Sequence, residues 1–571
     1  MMDIDKEFPK GVLRPELFLG VTSFISARSV AVNLSVAGES SGLHYAGGRY
    51  GRGEVGEFVL IEGQQNLLLG RITEVGLREP ERRRIRSDYT PTDSLDAIAQ
   101  VQLLGCVSMH NLGVTAGVDS YPRLGDRVYS APHRYISLLP VLMERQGEQS
   151  SVVLDIGYVG SDFNSVVSVK PERFFGRHCA ILGATGGGKS WTTARIVEEC
   201  LKHKSKIILL DATGEYRGFS GEFIESYRLG GLGSGQSHDD KCSMPPSCFI
   251  ESDFIALFEP SGKVQGPKLR AAIESLRLAV VCPGLSEGGI INKADKGKDF
   301  KLEIQRALFK HARIVQDPSA YFDVSLLTKQ IVAECVYDNG DSWGRRNDQD
   351  VGWCAALISR INSVMKSPVF DCVFNSDGLV SVTDRIDGFM KSDNRLLRIC
   401  LGGVGYEYKA REIIANTIGR YLLRKGRDGI FIGSPVVVIV DEAHNFPGKS
   451  IGSEDHLSKL DAFEIIAKEG RKYCLNICLA TQRPRDITEG VLSQMGTLVV
   501  HRLTNDQDRL VVERACGEID RAASAFLPNL RPGEAAVIGV DFPIPLTVQV
   551  RRPNVRPFSD GPDYQNKWTI T

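Results

Sequence analysis

The residues best placed to do chemistry lie in the stretch 177–193, RHCAILGATGGGKSWTT. Gly183, then four residues, then Gly188-Lys189-Ser190 make the pattern G-x-x-x-x-G-K-[ST], whose backbone N–H groups wrap a polyphosphate. Glycine at 183, 186, 187 and 188 lets successive N–H groups turn inward, and a helix beginning there adds its positive end. In that setting Lys189 reaches the outer phosphates and the Ser190 hydroxyl completes a Mg²⁺ shell. Gly183, Gly186, Gly187, Gly188, Lys189, Ser190 and Trp191 are the candidate contacts of a nucleoside triphosphate.

Hydrolysis needs further groups. The segment VVVIVDEAHNF (436–446) is an apolar strand that delivers Asp441 and Glu442 to its C-terminal end, the edge where open α/β sheets bind ligands. There Asp441 would hold Mg²⁺ and Glu442 would polarise the water that attacks the γ-phosphorus. The strand LNICLA (475–480) ends in Thr481-Gln482-Arg483-Pro484, so Gln482 is either a γ-phosphate sensor or an exposed loop residue. KIILLD (206–211) likewise brings Asp211 to a strand end, with Glu215 four residues on. Either is a second carboxylate of the site or a plain cap. Phosphoryl transfer also wants a cation, often from a neighbouring subunit. Arg471 and Lys472 precede the Gln482 strand, and Arg177 precedes the phosphate-loop strand. Both positions are on the far side from the loop, where an arginine serves a neighbour's nucleotide or simply snorkels over the sheet edge.

The elements that must position these groups follow from the pattern. Residues 1–140 read as short β-branched strands punctuated by Gly, a small barrel or sandwich. From 177 the rhythm changes to strand, helix, strand, which implies a parallel sheet with crossovers. It breaks between 217 and 394 into helical runs such as 268–280, 300–315 and 354–365, and returns at 396. The expected class is α/β: a P-loop nucleotide-binding core at 177–216 and 395–553 and an N-terminal β-barrel at 1–140. A connector at 141–176, a mainly helical insertion at 217–394 and a tail at 554–571 complete the division.

Composition narrows the function classes. Net charge is −1, so no global basic field marks a nucleic-acid partner, and any polyanion site must be local or assembled from several subunits. Two local candidates are Arg82, Arg83, Arg84 and Arg86 in the loop 78–88, and Lys293, Lys296, Lys298 and Lys301. Thirteen cysteines without a C-x-x-C indicate a reducing compartment rather than a disulfide framework or zinc site. No apolar run reaches the roughly 18 residues of a membrane span, so a cytoplasmic protein with no membrane contact is expected. Asp211-Ala-Thr-Gly214 and Asn292-Lys293-Ala294-Asp295 also fit the D-x-x-G and N-K-x-D of GTPases, but that reading leaves Asp441-Glu442 and the TQRP strand end unexplained.

Taken together, RHCAILGATGGGKSWT, LLDATGEY, VVVIVDEAHNF, EGRKY…LATQRPRDI and GEAAV…PIPLTVQVRRP resemble the HerA group of the HerA/FtsK superfamily, RecA-like motor ATPases. The resemblance covers nearly the whole chain. It implies ATP as the nucleotide and a homohexameric ring moving on double-stranded DNA through a central pore. It matches Lys189 and Ser190 to the phosphate loop, and Asp441 and Glu442 to the metal and water carboxylates. Gln482 matches the sensor, Arg471 a trans-acting arginine and Arg177 a nucleotide contact. It further implies a partner effector docked on the N-terminal barrel: a nuclease in archaea, or in bacteria a nuclease or sirtuin-like NADase in antiphage defence. Two other roles within the resemblance are an assembly platform whose ATP turnover is regulatory, and a conjugation or secretion ATPase.

Overall fold

A computed structural model of the chain describes residues 8, 11–27, 29–35, 42–77, 97–143, 152–160, 162–231, 239–376, 378–446, 449–451, 458–516, 525–559 and 568. The arginine loop at 78–88, residues 232–237 of the Gly/Ser-rich stretch and most of the 554–571 tail lie outside them. The chain divides into two compact units, Met1–Lys204 with Ile477–Pro557, and Ser205–Asn476 with Phe558–Thr571.

The first unit opens with the expected barrel. Its strands run in the order Ser29–Leu34, Phe18–Ile25, Arg127–Ser130, Phe58–Ile61, Asn66–Leu77 and Ala97–Ser108, and the last pairs back onto the first. Alternating β-branched and polar residues send one face inward, where Val30, Val32, Val59, Leu68, Ile72 and Val101 form a fully buried core. Closure removes the sheet edges that would otherwise remain unpaired. Arg71, on a barrel strand, is 8% exposed and its guanidinium lies 4.3 Å from the Phe526 ring. It donates to the Gly56 carbonyl at 3.0 Å and to Thr547 Oγ1 at 3.0 Å, which stitches the barrel to the C-terminal hairpin.

Beside the barrel, the same unit carries the strands Val166–Val169, Leu154–Val159, Phe542–Val550, Glu534–Gly539, Thr497–Val500, Cys179–Leu182 and Leu475–Thr481, in that spatial order. Cys179–Leu182 pairs in parallel with Leu475–Thr481 on one side and Thr497–Val500 on the other. Residues 141–176 therefore contain more than the expected connector. Leu154–Val159 pairs antiparallel with Phe542–Val550 and extends the sheet. Its Gly157 and a register shift at 155–157 shorten the alternation that would have marked it as a strand.

The second unit holds the parallel strands Val436–Val440, Lys206–Asp211, Leu396–Gly403, Ile224–Gly230 and Asp240–Lys241. Here too a boundary moves. Ile224–Gly230 belongs to this sheet although its sequence, IESYRLG, lacks the apolar run of a buried strand. The helices between 251 and 391 form the insertion, with Leu278, Ala279, Ile291, Ile304 and Val315 packed as one cluster. The lysine-rich loop is no free basic patch: Lys293 pairs with Glu334, Lys296 with Glu287, Lys298 with Asp341 and Lys301 with Asp338. The N-K-x-D match is likewise tied up, because Asn292 Oδ1 accepts the Ala294 N–H and Lys293 Nζ lies 2.6 Å from Glu334. Among the described residues no helix is long and apolar enough to cross a membrane.

Candidate active site

The fully buried strand Cys179–Leu182 ends at Gly183, and the helix Lys189–Leu201 begins directly after Gly188. Gly186 has φ +74° and Gly188 φ +114°, a region that side chains other than glycine rarely occupy. At Gly183 the requirement is space, since a Cβ there would come within 2.6 Å of His501 Cβ. The loop is thus a cradle of backbone that any added side chain would fill, facing a helix N-terminus: the geometry a polyphosphate needs. Lys189 is 7% exposed at the first helical position, and Ser190 and Trp191 follow it in the opening turn. The helix is anchored along its buried length, where Arg195 donates to the Asp155 carbonyl at 2.9 and 3.0 Å and pairs with Glu199.

Gln482 is brought to this loop. Leu182 and Thr481 are partners in the parallel ladder, so the residues after both strands leave the sheet at the same level. Thr185 Oγ1 then donates to Gln482 Oε1 at 2.5 Å. Behind the loop stands His501, fully buried, its ring nitrogens 2.8 Å from Thr192 Oγ1 and 2.8 Å from the Glu534 carbonyl. Sequence reasoning missed His501. Its only signal is a histidine closing the apolar run TLVVH, which carries no motif.

Burial pushes the His501 pKa down to about 4; the Glu534 carbonyl opposes the shift and Lys189 adds to it. A base held neutral in the fold but titrating near 6.5 when unfolded binds more protons in the unfolded chain. Its contribution to stability is therefore complete above the unfolded pKa and is lost as the pH falls from there toward 4. Between pH 7 and pH 5 the wild type should lose about 2 kcal/mol more than a His501→Gln variant, read from urea unfolding at each pH. Equal losses would show that this imidazole is not the group responsible.

In the second unit, Val436–Val440 delivers Asp441 and Glu442 as expected. Asp441 is 4% exposed, and its N–H continues the ladder to the Leu210 carbonyl at 3.1 Å. Glu442 adopts φ +47°, a left-handed conformation that costs a non-glycine residue roughly 1 kcal/mol or more and that clusters at functional positions. His444 Nδ1 lies 3.1 Å from Glu442 Oε2, a contact two residues along that the motif alone does not announce. Asp211 has a different task. Its carboxylate is fully buried and accepts the N–H groups of Gly214, Glu215 and Tyr216 at 2.7, 3.1 and 3.1 Å. Arg398 Nε adds a 2.8 Å contact, so Asp211 shapes the turn instead of standing open to a ligand. Glu215 is half-buried in that turn, and its carbonyl accepts the Phe558 N–H.

The two arginines stand at strand starts. Arg177 lies two residues before Cys179, half exposed, with its Nε 3.5 Å from Asp541 Oδ1. Arg471 is exposed in the turn Gly470–Tyr473 that leads into Leu475–Thr481, and among the described residues no carboxylate pairs with it.

Residues 154–306, which begin at the strand Leu154–Val159 and include the phosphate loop, match the family model described as Helicase HerA, central domain. The chain carries a HerA-type central domain. A DNA double-strand break repair helicase HerA of Sulfolobus acidocaldarius is 22% identical to this chain over 528 residues, 90% of this chain and 92% of that one. The corresponding HerA of Saccharolobus solfataricus is 28% identical over 413 residues, covering 72% and 71%. A probable helicase of Methanocaldococcus jannaschii is 23% identical over 479 residues and 82% of each chain. Among solved structures, VirB4 of Thermoanaerobacter pseudethanolicus aligns over 72% of this chain and 99% of its own at 13% identity, with a TM-score of 0.45.

Proposed function

We propose that this protein is a HerA-type ATPase, an ATP-driven motor that translocates on, or unwinds, double-stranded DNA. The observation that carries the reading is the phosphate loop itself, a glycine cradle at a helix N-terminus bonded through Thr185 to Gln482. Relatives named as DNA double-strand break repair helicases support the choice of substrate. In this reading the loop N–H groups and Lys189 bind the phosphates, and Gln482 senses the γ-phosphate and passes its presence to the loop through Thr185. In this reading Ser190 and Asp441 are the residues that would hold Mg²⁺ beside the phosphate oxygens. Bound there, Mg²⁺ neutralises phosphate charge. Glu442, at its left-handed backbone position, orients and deprotonates the water.

The arginines extend the reading to an oligomer. Arg471 is exposed and, among the described residues, without a carboxylate partner, which suits a group that completes a neighbour's site, and Arg177 is the second candidate. A homohexameric ring would also let a chain of net charge −1 hold DNA, because modest basic loops from several copies would line one pore. We place the protein in the cytoplasm, with the barrel receiving an effector, a nuclease or sirtuin-like NADase, in antiphage defence. If the ring is instead a platform, effector activation survives Glu442→Gln; in a motor it does not. Duplex-stimulated ATP turnover and displacement of a third strand from a DNA triplex test the motor reading, and purified protein that does neither overturns it.

A further inference from the structure

We propose that His501 is a positioning residue for nucleotide binding: it braces the phosphate loop from behind and ties it to the helix Lys189–Leu201 and to the turn at 533–534. The inference rests on reading that loop as the nucleotide site. Three sets of contacts carry it. First, the backbone of His501 and its neighbour pins the start of the loop, with His501 N–H donating to the Leu182 carbonyl at 2.7 Å and Ala184 N–H to the Arg502 carbonyl at 3.1 Å. Second, the side chain is the wall against which the glycines pack. A Cβ at Gly183 or Gly187 would meet His501 Cβ at 2.6 or 3.4 Å, and one at Gly188 would meet Cε1 at 3.2 Å.

Third, the two ring nitrogens reach different segments. A carbonyl only accepts, so Nδ1 carries the proton it donates to Glu534, and Nε2 must accept from the Thr192 hydroxyl. Thr192 lies within the opening turn of the helix, its N–H bonded to the Gly188 carbonyl at 2.9 Å. Gly533 N–H meanwhile reaches the Gly187 carbonyl at 3.3 Å. The imidazole thereby joins loop, helix and hairpin in one closed set of bonds. An apolar residue would fill the same space more cheaply, because a buried ring of this kind is tolerated only with both nitrogens satisfied. What the histidine adds is order. A glycine-rich loop has many conformations to lose on binding phosphates, and a brace that removes them beforehand lowers that cost.

Such a brace acts on affinity rather than on the chemical step. In the full chain, binding of a fluorescent ATP analogue and steady-state ATP turnover should be compared for wild type, His501→Phe, His501→Gln, Thr192→Val and the Phe/Val double variant. His501→Phe should raise Kd and KM about tenfold with kcat within about twofold, Thr192→Val should raise them less, and the double variant should be no worse than Phe alone. His501→Gln, which keeps an acceptor near Nε2, should recover part of the loss. Unchanged KM in both His501→Phe and Thr192→Val would make the ring simple packing and overturn the proposal, as would a fall in kcat with KM unmoved. If His501→Phe does not fold, Thr192→Val alone decides, by whether KM rises. Lys189→Ala separates the two layers: if it binds the analogue as wild type does, the phosphate-loop reading fails, whatever the histidine variants show.

Discussion

If the proposed reading holds, Lys189→Ala should reduce ATP turnover at least about a hundredfold and weaken nucleotide binding, because the buried cation assigned to the phosphates is lost. Glu442→Gln should behave differently. It keeps size and hydrogen bonding but cannot take a proton, so hydrolysis should fall about 10²- to 10⁴-fold with binding near wild type. The contrast is the informative part. Lys189 acts on both ground and transition states, whereas Glu442 acts only as the water is activated, so its loss belongs in kcat. Phosphate release and equilibrium binding of a fluorescent ATP analogue separate the two. Melting temperatures close to wild type exclude misfolding as the cause. If Glu442→Gln kept full kcat, the left-handed strain at 442 would need another explanation.

Arg398→Met should strongly destabilise the second unit. Arg398 is 1% exposed, with Nε 2.8 Å from Asp211 and Nη1 3.0 and 2.9 Å from the two oxygens of Asp239. Removing the guanidinium leaves the Asp211 carboxylate buried without its cation, a change that costs about 3–5 kcal/mol. The three backbone N–H bonds to Asp211 soften the loss but supply no full charge. In an Asp211→Asn background the same substitution should cost less, because the stranded charge is gone. Chemical denaturation of the four proteins gives the coupling directly. Equal costs in both backgrounds would mean that the buried pair contributes nothing beyond its separate bonds.

How far the sequence was legible depended on whether chemistry demanded particular residues in a row. The phosphate loop, the strand carrying Asp441 and Glu442, and the barrel all announced themselves, because a tight backbone cradle, a buried parallel strand and a closed sheet each restrict residue type over consecutive positions. Gln482 was legible as a strand-end residue, but its bond to Thr185 depends on a parallel register between strands nearly three hundred residues apart. His501 was invisible for the same reason, since the three segments it joins, loop, helix and hairpin, are remote from it in sequence. Leu154–Val159 and Ile224–Gly230 were read as connector and insertion because a bulge and a polar run mask their alternation. The lysines of 293–301 show the opposite error. Composition suggested a basic surface, and the fold supplied an acidic partner for each.

In the proposed function, hydrolysis at this loop drives movement on duplex DNA. The most direct test is triplex displacement by purified wild type and Glu442→Gln, with ATP turnover followed in the same reaction with and without duplex. Duplex-stimulated turnover, displacement that requires ATP, and loss of both in Glu442→Gln are the predicted results. Displacement by Glu442→Gln at the wild-type rate, or turnover indifferent to duplex together with no displacement, would contradict the claim.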